Sequence, residues 1–414
     1  MADCGCDSHQ TVALKPFDEA LNFLLAQANP ITETETLPLE RALGRVLAEP
    51  VHSHVDVPPW DNSAMDGYAV NTRDLEKMES LRVAQRIPAG AAGSELQTGT
   101  AARIFTGAPV PPGADAVVMQ EVCTVEGDQV SVNDGVNAGA NIRRAGEDIL
   151  QGESILATGT RLSPQHLGLA ASVGVSELTV YRPLKVAVFS SGDELVMPGG
   201  ELGPGQIYNS NQFTLGGLLQ RMGCEVIQLG MVEDTLDATC EALSRGAESA
   251  DLILASGGVS VGEEDHVKPA VERLGSLDLW KVAIRPGKPI AFGQVDGTPF
   301  FGAPGNPVSL FTTFTVFARP FILRMQGVEG DVLPMSFKAI AGFEKAGTDK
   351  RREYARARIE HDEQGRAVVK LFANRSSGVL SSVAWANGLA VLPAMTAVSQ
   401  GDTVEFIPFS ELMT

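Results

Sequence analysis

From Leu184 onward the chain repeats one pattern: a short apolar run, a loop, an amphipathic stretch of helical period, then another apolar run. Val186-Ala187-Val188-Phe189 is apolar on both faces, as a strand covered on both sides requires. A helix carrying Phe213, Leu218, Leu219 and Met222 should follow, then a strand over residues 224–229. A helix with Leu236, Cys240, Leu243 and Ala247 and a strand over 251–255 come next, and a long apolar helix starting near Asn306 closes the block. Alternation at this spacing predicts a parallel sheet with right-handed crossovers.

The flanks read differently. Leu21, Leu24, Leu25 and Ala28 fall at i, i+3, i+4 and i+7, which predicts a helix over 16–29; Leu39, Leu43, Val46 and Leu47 predict a second, ending before Pro50. Residues 51–160 are broken by Gly and Pro and alternate in short runs, as over 115–122 and 129–132, and should be β-rich with long loops. After about residue 330 only short strands are expected, over 337–343, 352–360, 367–372, 389–392 and 403–407, forming a small barrel or sandwich. A length of 414 residues accommodates several domains.

Charge narrows the function classes. Lys plus Arg is 32 and Asp plus Glu is 51, a net charge of −19, which disfavours general binding to nucleic acid or to an anionic membrane. Hydrophobic residues at 44% and charged residues at 20% supply enough core to exclude global disorder. The best membrane-span candidate, residues 308–323, holds three Thr, Arg319 and Pro320, and the N-terminus has no signal-peptide pattern. Five scattered cysteines do not make a disulfide framework and fit a reducing, cytoplasmic setting. Cys4, Cys6 and His9 could form half a metal site, but no second ligand pair follows, and a polar tail is the plainer reading.

Ligands of an open parallel sheet bind beyond the carboxyl ends of its strands. The loops expected there are Ser190-Ser191-Gly192-Asp193-Glu194, then Ser256-Gly257-Gly258-Val259-Ser260-Val261-Gly262-Glu263-Glu264-Asp265, then Arg285-Pro286-Gly287-Lys288-Pro289, and Gly302-Ala303-Pro304-Gly305-Asn306-Pro307-Val308-Ser309. One Gly-rich loop is often only a tight turn, and one carboxylate at a strand end is often a helix cap. Four such loops on one rim point to a site. Their glycines, hydroxyls and two cations suit a phosphate or another oxyanion. A helix N-terminus after Pro307 would add its dipole, and the carboxylates suit Mg²⁺ between protein and phosphate. Neither the dinucleotide fingerprint nor a Walker-A loop is present. Two further strings, Pro58 through Ala69 and Arg103 through Pro111, read as rigid turns presenting Asp61, Asp66 and Thr106.

Asp61-Asn62-Ser63-Ala64-Met65-Asp66-Gly67-Tyr68-Ala69 resembles the signature of the molybdopterin molybdenumtransferase (MoeA) family, which includes the gephyrin E domain. Thr106 through Pro111, Ser191 through Leu195, Ser256 through Gly262 with Asp265, Pro286 through Pro289 and Pro304 through Ser309 match in the same order, and the resemblance runs from about residue 16 to the C-terminus. It implies a multidomain α/β plus β protein: a split dimerisation domain (1–50 and 145–182), an inserted β-rich domain (51–144), a parallel-sheet molybdopterin-binding α/β domain (183–330) and a C-terminal β-barrel (331–414). The implied reaction inserts molybdenum from molybdate into adenylylated molybdopterin with release of AMP and requires Mg²⁺. The implied partners are a second copy of the chain and a molybdopterin adenylyltransferase as substrate donor.

Residue by residue, the resemblance implies Glu194 and Asp265 as metal ligands and catalytic carboxylates, joined by Asp234. Asp61, Asp66 and Thr106 match positions facing the cleft from the other subunit. Asp148 matches a further functional carboxylate and Lys281 a family lysine. Arg285, Lys288, Ser309, Arg356 and Ser377 correspond to molybdate-holding positions; at 285 many relatives carry Lys, whose hydrogen-bond geometry differs. Ser191, Gly257, Gly258, Ser260, Pro304 and Pro307 belong to the substrate-binding loops. Two other classes compete: a scaffold of the gephyrin E-domain type, and another enzyme on the same α/β fold, either a nucleotide pyrophosphatase or a molybdopterin adenylyltransferase.

Overall fold

The computed structural model describes residues 14–258, 266–287 and 289–413. Cys4, Cys6 and His9 lie outside them, as do Ser260, Asp265 and Lys288. The chain divides into two compact units. The larger draws on the described residues within Met1–Glu35, Gly44–Ala48 and Val180–Thr414, the smaller on Thr36–Leu43 and Glu49–Thr179.

At the centre of the larger unit is a six-stranded sheet in the order Glu225–Val232, Lys185–Ser191, Leu252–Ser256, Thr298–Ala303, Pro289–Val295, Gly275–Lys281. The first four are parallel, Pro289–Val295 runs antiparallel to both its neighbours, and Gly275–Lys281 returns to the direction of the first four, so the expected parallel pairing holds among the first four strands. The reversal is local chemistry. Asp296 and Gly297 both have positive φ, 48° and 83°, and close a two-residue hairpin between Pro289–Val295 and Thr298–Ala303. Alternate residues of the strands feed two cores. Val186, Val188 and Phe292 pack under Phe23, Leu219 and Phe321, whereas Phe189, Ile253 and Phe300 pack under Leu243 and Val271.

The helix Pro307–Met325 is long and apolar enough to cross a bilayer, but 94% of it is buried within the protein. It consists of α-helix over Pro307–Thr313, a π-turn over Phe314–Ala318 and α-helix over Arg319–Met325. The wide turn has a cause: Pro320 has no N–H, and its ring would clash with a carbonyl one turn earlier. The hydroxyl of Thr315 donates within the helix to the carbonyls of Phe311 and Thr312. Phe17, at the start of the N-terminal helix Phe17–Ala26, lies 4.9 Å from Phe317.

Beyond this helix the chain closes a five-stranded barrel: Arg352–His361, Ala367–Leu371, Phe337–Ala341, Thr403–Pro408 and Gly388–Leu392, which pairs back onto the first. Its interior is filled by Ala339, Ala341, Ala355, Ala357 and Ala390 around Phe406, the small side chains that a narrow barrel accommodates. Gly388 is required: a Cβ there would lie 2.2 Å from the Phe406 ring. Ile284–Arg285 adds a parallel segment to this barrel, with Arg285 opposite Glu353.

The smaller unit is built on a six-stranded sheet, Ala116–Met119, Gly67–Val70, Thr100–Ile104, Leu81–Ile87, Gln129–Val132, Cys123–Glu126, with buried residues on both faces. Gly67 is forced by packing, since a Cβ would sit 1.8 Å from the Val118 carbonyl oxygen. The helix expected over residues 39–47 is instead a 3₁₀ turn, Leu39–Arg41, followed by Gly44 at φ 78° and a bridge from Leu47 to Val180. Gly44, left-handed inside the stretch, interrupts the run before the apolar spacing can wind a second turn.

Phe317 is fully buried and Phe213 is 58% exposed. Phe317→Ala should therefore cost about 3–5 kcal/mol in urea unfolding, and Phe213→Ala should cost about 0.5 kcal/mol or less.

Candidate active site

Parallel register brings four chain segments to one edge of the sheet. Ser190 pairs with Met231 and Ser256, Ser191 with Val232, and Ser256 with Ala303. The loops leaving these positions line a cavity of about 710 Å³. Ser191, Gly192, Glu194, Asp234, Ser256, Gly257, Gly258 and Pro304 through Pro307 form its walls, and Gly378 and Leu380 reach it from the barrel. The four-loop expectation is met for the Ser191, Ser256 and Pro304 loops; Asp234 stands at the fourth strand end, while Arg285 is not among the lining residues.

Glycine makes this convergence possible. Gly257 has φ 90°, and a Cβ on it would approach the Ser191 carbonyl oxygen to 2.4 Å. Gly258, at φ 63°, would meet a Val267 methyl at 2.5 Å. The Gly257 N–H donates to the Ala303 carbonyl at 3.1 Å and ties two loops together. On the other side the Ser191 hydroxyl donates to Asp234 Oδ1 at 3.0 Å, and the Asp234 N–H donates to Asp193 Oδ1 at 3.3 Å. Glu194 is exposed to the cavity.

Two asparagines that sequence reasoning did not single out complete the wall. Asn211 Nδ2 donates to Ser256 Oγ at 2.9 Å and to the Gly305 carbonyl at 2.7 Å, bracing two loops at once. Its buried Oδ1 has no hydrogen-bond partner among the described residues. Asn209 is buried, and its Oδ1 accepts from the Gln212 N–H at 3.2 Å. The available signal was the run Tyr208-Asn209-Ser210-Asn211 immediately before a helix, where polar caps gather.

The cations sit toward the barrel. Arg285 Nη1 donates to Asp349 Oδ2 at 3.1 Å, and Arg351 binds the same carboxylate through Nε and Nη2, both at 3.1 Å. These contacts, led by the Arg351 side chain, hold the Asp349 pKa down at about 2. Arg356 is buried: Nε donates to Ser382 Oγ at 2.9 Å and Nη2 to the carbonyls of Asn374 and Ser376 at 3.2 and 3.1 Å. Burial lowers its pKa; Glu353 opposes this, and Arg375 and Arg285 add to it. Arg356 thus fixes the loop carrying Ser377, whose carbonyl accepts the Val308 N–H at 3.0 Å. That bond engages an amide expected to face a ligand at the helix start. Ser309 lies buried in the same helix, and Lys281 ends the edge strand with its carbonyl accepting the Lys15 N–H.

Four expected residues belong to the smaller unit. Asp66 Oδ1 accepts from the N–H and the hydroxyl of Thr106, both at 2.8 Å, and the backbone bond first, then the hydroxyl, lowers its pKa. Asp61 accepts from the Ala145 N–H and pairs with Arg144; the backbone bond is the larger cause of its lowered pKa. Asp148 is exposed, and its N–H donates to the Val57 carbonyl. The structure therefore joins Asp66 to Thr106 across forty positions of sequence.

Two carboxylates, Glu194 and Asp234, share the cavity with hydroxyl and carbonyl oxygens. This hard-oxygen donor set fits Mg²⁺ with substrate phosphates completing its shell. Among the described residues no group of three His, Cys, Asp or Glu side chains is placed to hold a metal ion.

Residues 15–174 match the family described as MoeA N-terminal region (domain I and II), 187–324 the probable molybdopterin binding domain, and 338–409 the MoeA C-terminal region (domain IV). The chain is 41% identical over 399 residues to the molybdopterin molybdenumtransferase of Haemophilus influenzae, covering 96% of this chain and 99% of that protein. It is 38% identical over 383 residues to the molybdopterin molybdenumtransferase of a Nostoc species, covering 90% of this chain and 88% of that protein. The crystal structure of a molybdopterin biosynthesis MoeA protein from Pyrococcus horikoshii OT3 superposes with a TM-score of 0.83 at 32% identity, over 96% of this chain and all of that one.

Asp349 supplies a pH test. Folding lowers its pKa from 3.8 to about 2, so its contribution is complete above 3.8 and is lost as pH falls toward 2. Asp349→Asn should cost on the order of 1 kcal/mol near neutrality, allowing for solvent screening. In urea unfolding the gap to wild type should close on acidification through that window, and a gap of constant size would contradict the assignment.

Proposed function

This chain belongs to the molybdopterin molybdenumtransferase family and is a transferase of molybdenum cofactor biosynthesis, and we propose that it inserts molybdenum from molybdate into adenylylated molybdopterin with release of AMP. The observation that carries this reading is the cavity itself: carboxylates, hydroxyls and glycine-lined backbone on one side, and a loop fixed by buried Arg356 on the other. The first set suits a phosphoanhydride with a divalent ion, and the cations beside the barrel suit a small dianion. A nucleotide pyrophosphatase or an adenylyltransferase would account for the α/β sheet alone.

Each residue then has a task. Asp234, in the cavity wall, is held by the Ser191 hydroxyl through Oδ1. Asn211 holds the Ser256 and Gly305 loops at a constant spacing across the substrate cleft. Arg285, Lys288, Ser309 and Ser377 take molybdate, with Arg356 positioning the Ser377 loop. Glu194 and Asp265 would hold Mg²⁺, which when bound polarises the phosphoanhydride and stabilises charge on the departing AMP. Asp61, Asp66 and Thr106 face the cleft of the other subunit and serve the reaction there.

The active species on this reading is a cytoplasmic homodimer supplied by an adenylyltransferase. Among the described residues Cys123, Cys224 and Cys240 form no disulfide. Sedimentation should give twice the mass of the chain, and a monomer active at the same concentration would exclude the dimer.

The decisive assay is AMP release from adenylylated molybdopterin with and without molybdate. Chelation should abolish it and Mg²⁺ should restore it. Glu194→Gln and Asp265→Asn should each lower the rate by roughly two orders of magnitude, the loss of several kcal/mol of charge stabilisation, with circular dichroism unchanged. Near-normal turnover in the folded double variant would remove the metal assignment.

A further inference from the structure

Glu353 and Lys345 are buried in the barrel, with side chains 1% and 6% exposed and Oε2 and Nζ 3.8 Å apart. Neither atom has a hydrogen-bond partner among the described residues. The other carboxylate oxygen, Oε1, accepts from Arg375 Nε at 3.0 Å and is also contacted by its Nη2. The Arg375 side chain is 28% exposed, so part of it stays open to solvent while it holds Glu353.

The backbone on both sides of Arg375 is fixed. Arg356 Nη2 binds the carbonyls of Asn374 and Ser376, Ser377 accepts from Val308, and Gly378 lines the cavity. Glu353 also stands opposite Arg285 in register, and the charges of Arg375 and Arg285 both act on Arg356. Glu353 serves Arg375 and Lys345 while Asp349 serves Arg285 and Arg351, so with Arg356 two carboxylates stand among four guanidinium groups and an ammonium group. The remaining excess of like charge repels unless a further anion joins it. Planar guanidinium forks match the oxygens of a tetrahedral dianion. Glu353, buried and negative, cannot touch such a ligand itself.

We propose that Arg375 is a further oxyanion-binding residue of this chain and that Glu353 is the positioning residue that aims its guanidinium. The ligand is a tetrahedral dianion, molybdate if the reaction is the one proposed above, and to that extent the inference rests on that reading.

Calorimetric titration of the whole protein with molybdate, without adenylylated pterin, tests this apart from turnover. Arg375→Gln should weaken molybdate roughly tenfold, the smallest effect expected for losing one charge-assisted hydrogen bond, and Arg375→Lys should weaken it less. Glu353→Gln should weaken it in the wild-type background but add little to Arg375→Gln, since both act through one guanidinium. Binding of the adenylylated pterin should not change. Unaltered molybdate affinity in Arg375→Gln, or full additivity of the two substitutions, overturns the assignment. If Glu353→Gln does not fold, the Gln and Lys variants at 375 decide alone. Arg375-dependent binding without AMP release would refute the proposed reaction and leave the oxyanion site standing. Molybdate-dependent AMP release indifferent to Arg375→Gln would do the reverse.

Discussion

The N–H of Val308 donates to the carbonyl of Ser377, and further along the same helix Phe317 packs against Phe17. Both contacts depend on the same buried rod, Pro307–Met325. At its start it receives the barrel loop and contributes Pro307 to the cavity wall. At Thr313 it meets Gly287, where a Cβ would lie 2.5 Å from the Thr313 methyl, so the Arg285 segment can seat only because that position is glycine at φ 106°. At Phe321 it packs edge-on against Phe292 of the sheet, with ring centres 5.2 Å apart. Sheet, barrel, N-terminal helix and anion segment are thereby referred to one rigid element, which is how a site with walls from two domains keeps its dimensions. The π-turn is a local irregularity that lets an apolar helix carry Pro320 without breaking.

Charge is organised by the same economy of supports. A chain of net charge −19 must assemble positive potential locally if it is to hold an oxyanion. It does so with carboxylates used as clamps: Asp349 holds Arg285 and Arg351, and Glu353 holds Arg375 and Lys345. The N-terminal helix is fastened similarly, Asp18 pairing with Arg352 at 2.8 Å while that guanidinium lies 4.6 Å over the Phe17 ring. These acids fix the direction of the cations, whereas the carboxylates of the cavity, Glu194 and Asp234, face open volume.

Much of this was legible in the residues. Continuous apolar runs identified the strands around Val186 and Leu252, and short alternating runs identified the barrel strands to within a few residues, because burial leaves a direct mark on composition. The glycine loop at Gly257 was legible for a related reason, since close backbone approach there admits nothing larger. What stayed hidden depended on contacts between distant positions. The antiparallel edge followed from Asp296-Gly297, a two-residue signal inside a stretch read as one long parallel alternation. The stretch over 39–47 kept helical spacing but was governed by Gly44 and by the pairing of Leu47 with Val180. Asn209 and Asn211 were not singled out, because only the meeting of Ser256 and Gly305 shows Asn211 bracing two loops.

The motif strings also separate into parts with different causes. Within Asp61 through Ala69, Gly67 is demanded by the Val118 carbonyl and Asp66 by the Thr106 amide and hydroxyl, so part of the string is explained by folding of the smaller unit alone. Trp60 and Met65, in contrast, are 54% and 42% exposed, and no core in their own unit includes them. The same division holds around the cavity: Gly257 is fixed by the Ser191 carbonyl, whereas Glu194 is exposed at the cavity surface. Positions that packing already dictates carry little information about chemistry. The residues that packing leaves unexplained, an exposed acid at a strand end and a buried carboxylate among guanidinium groups, are where the activity has to be sought.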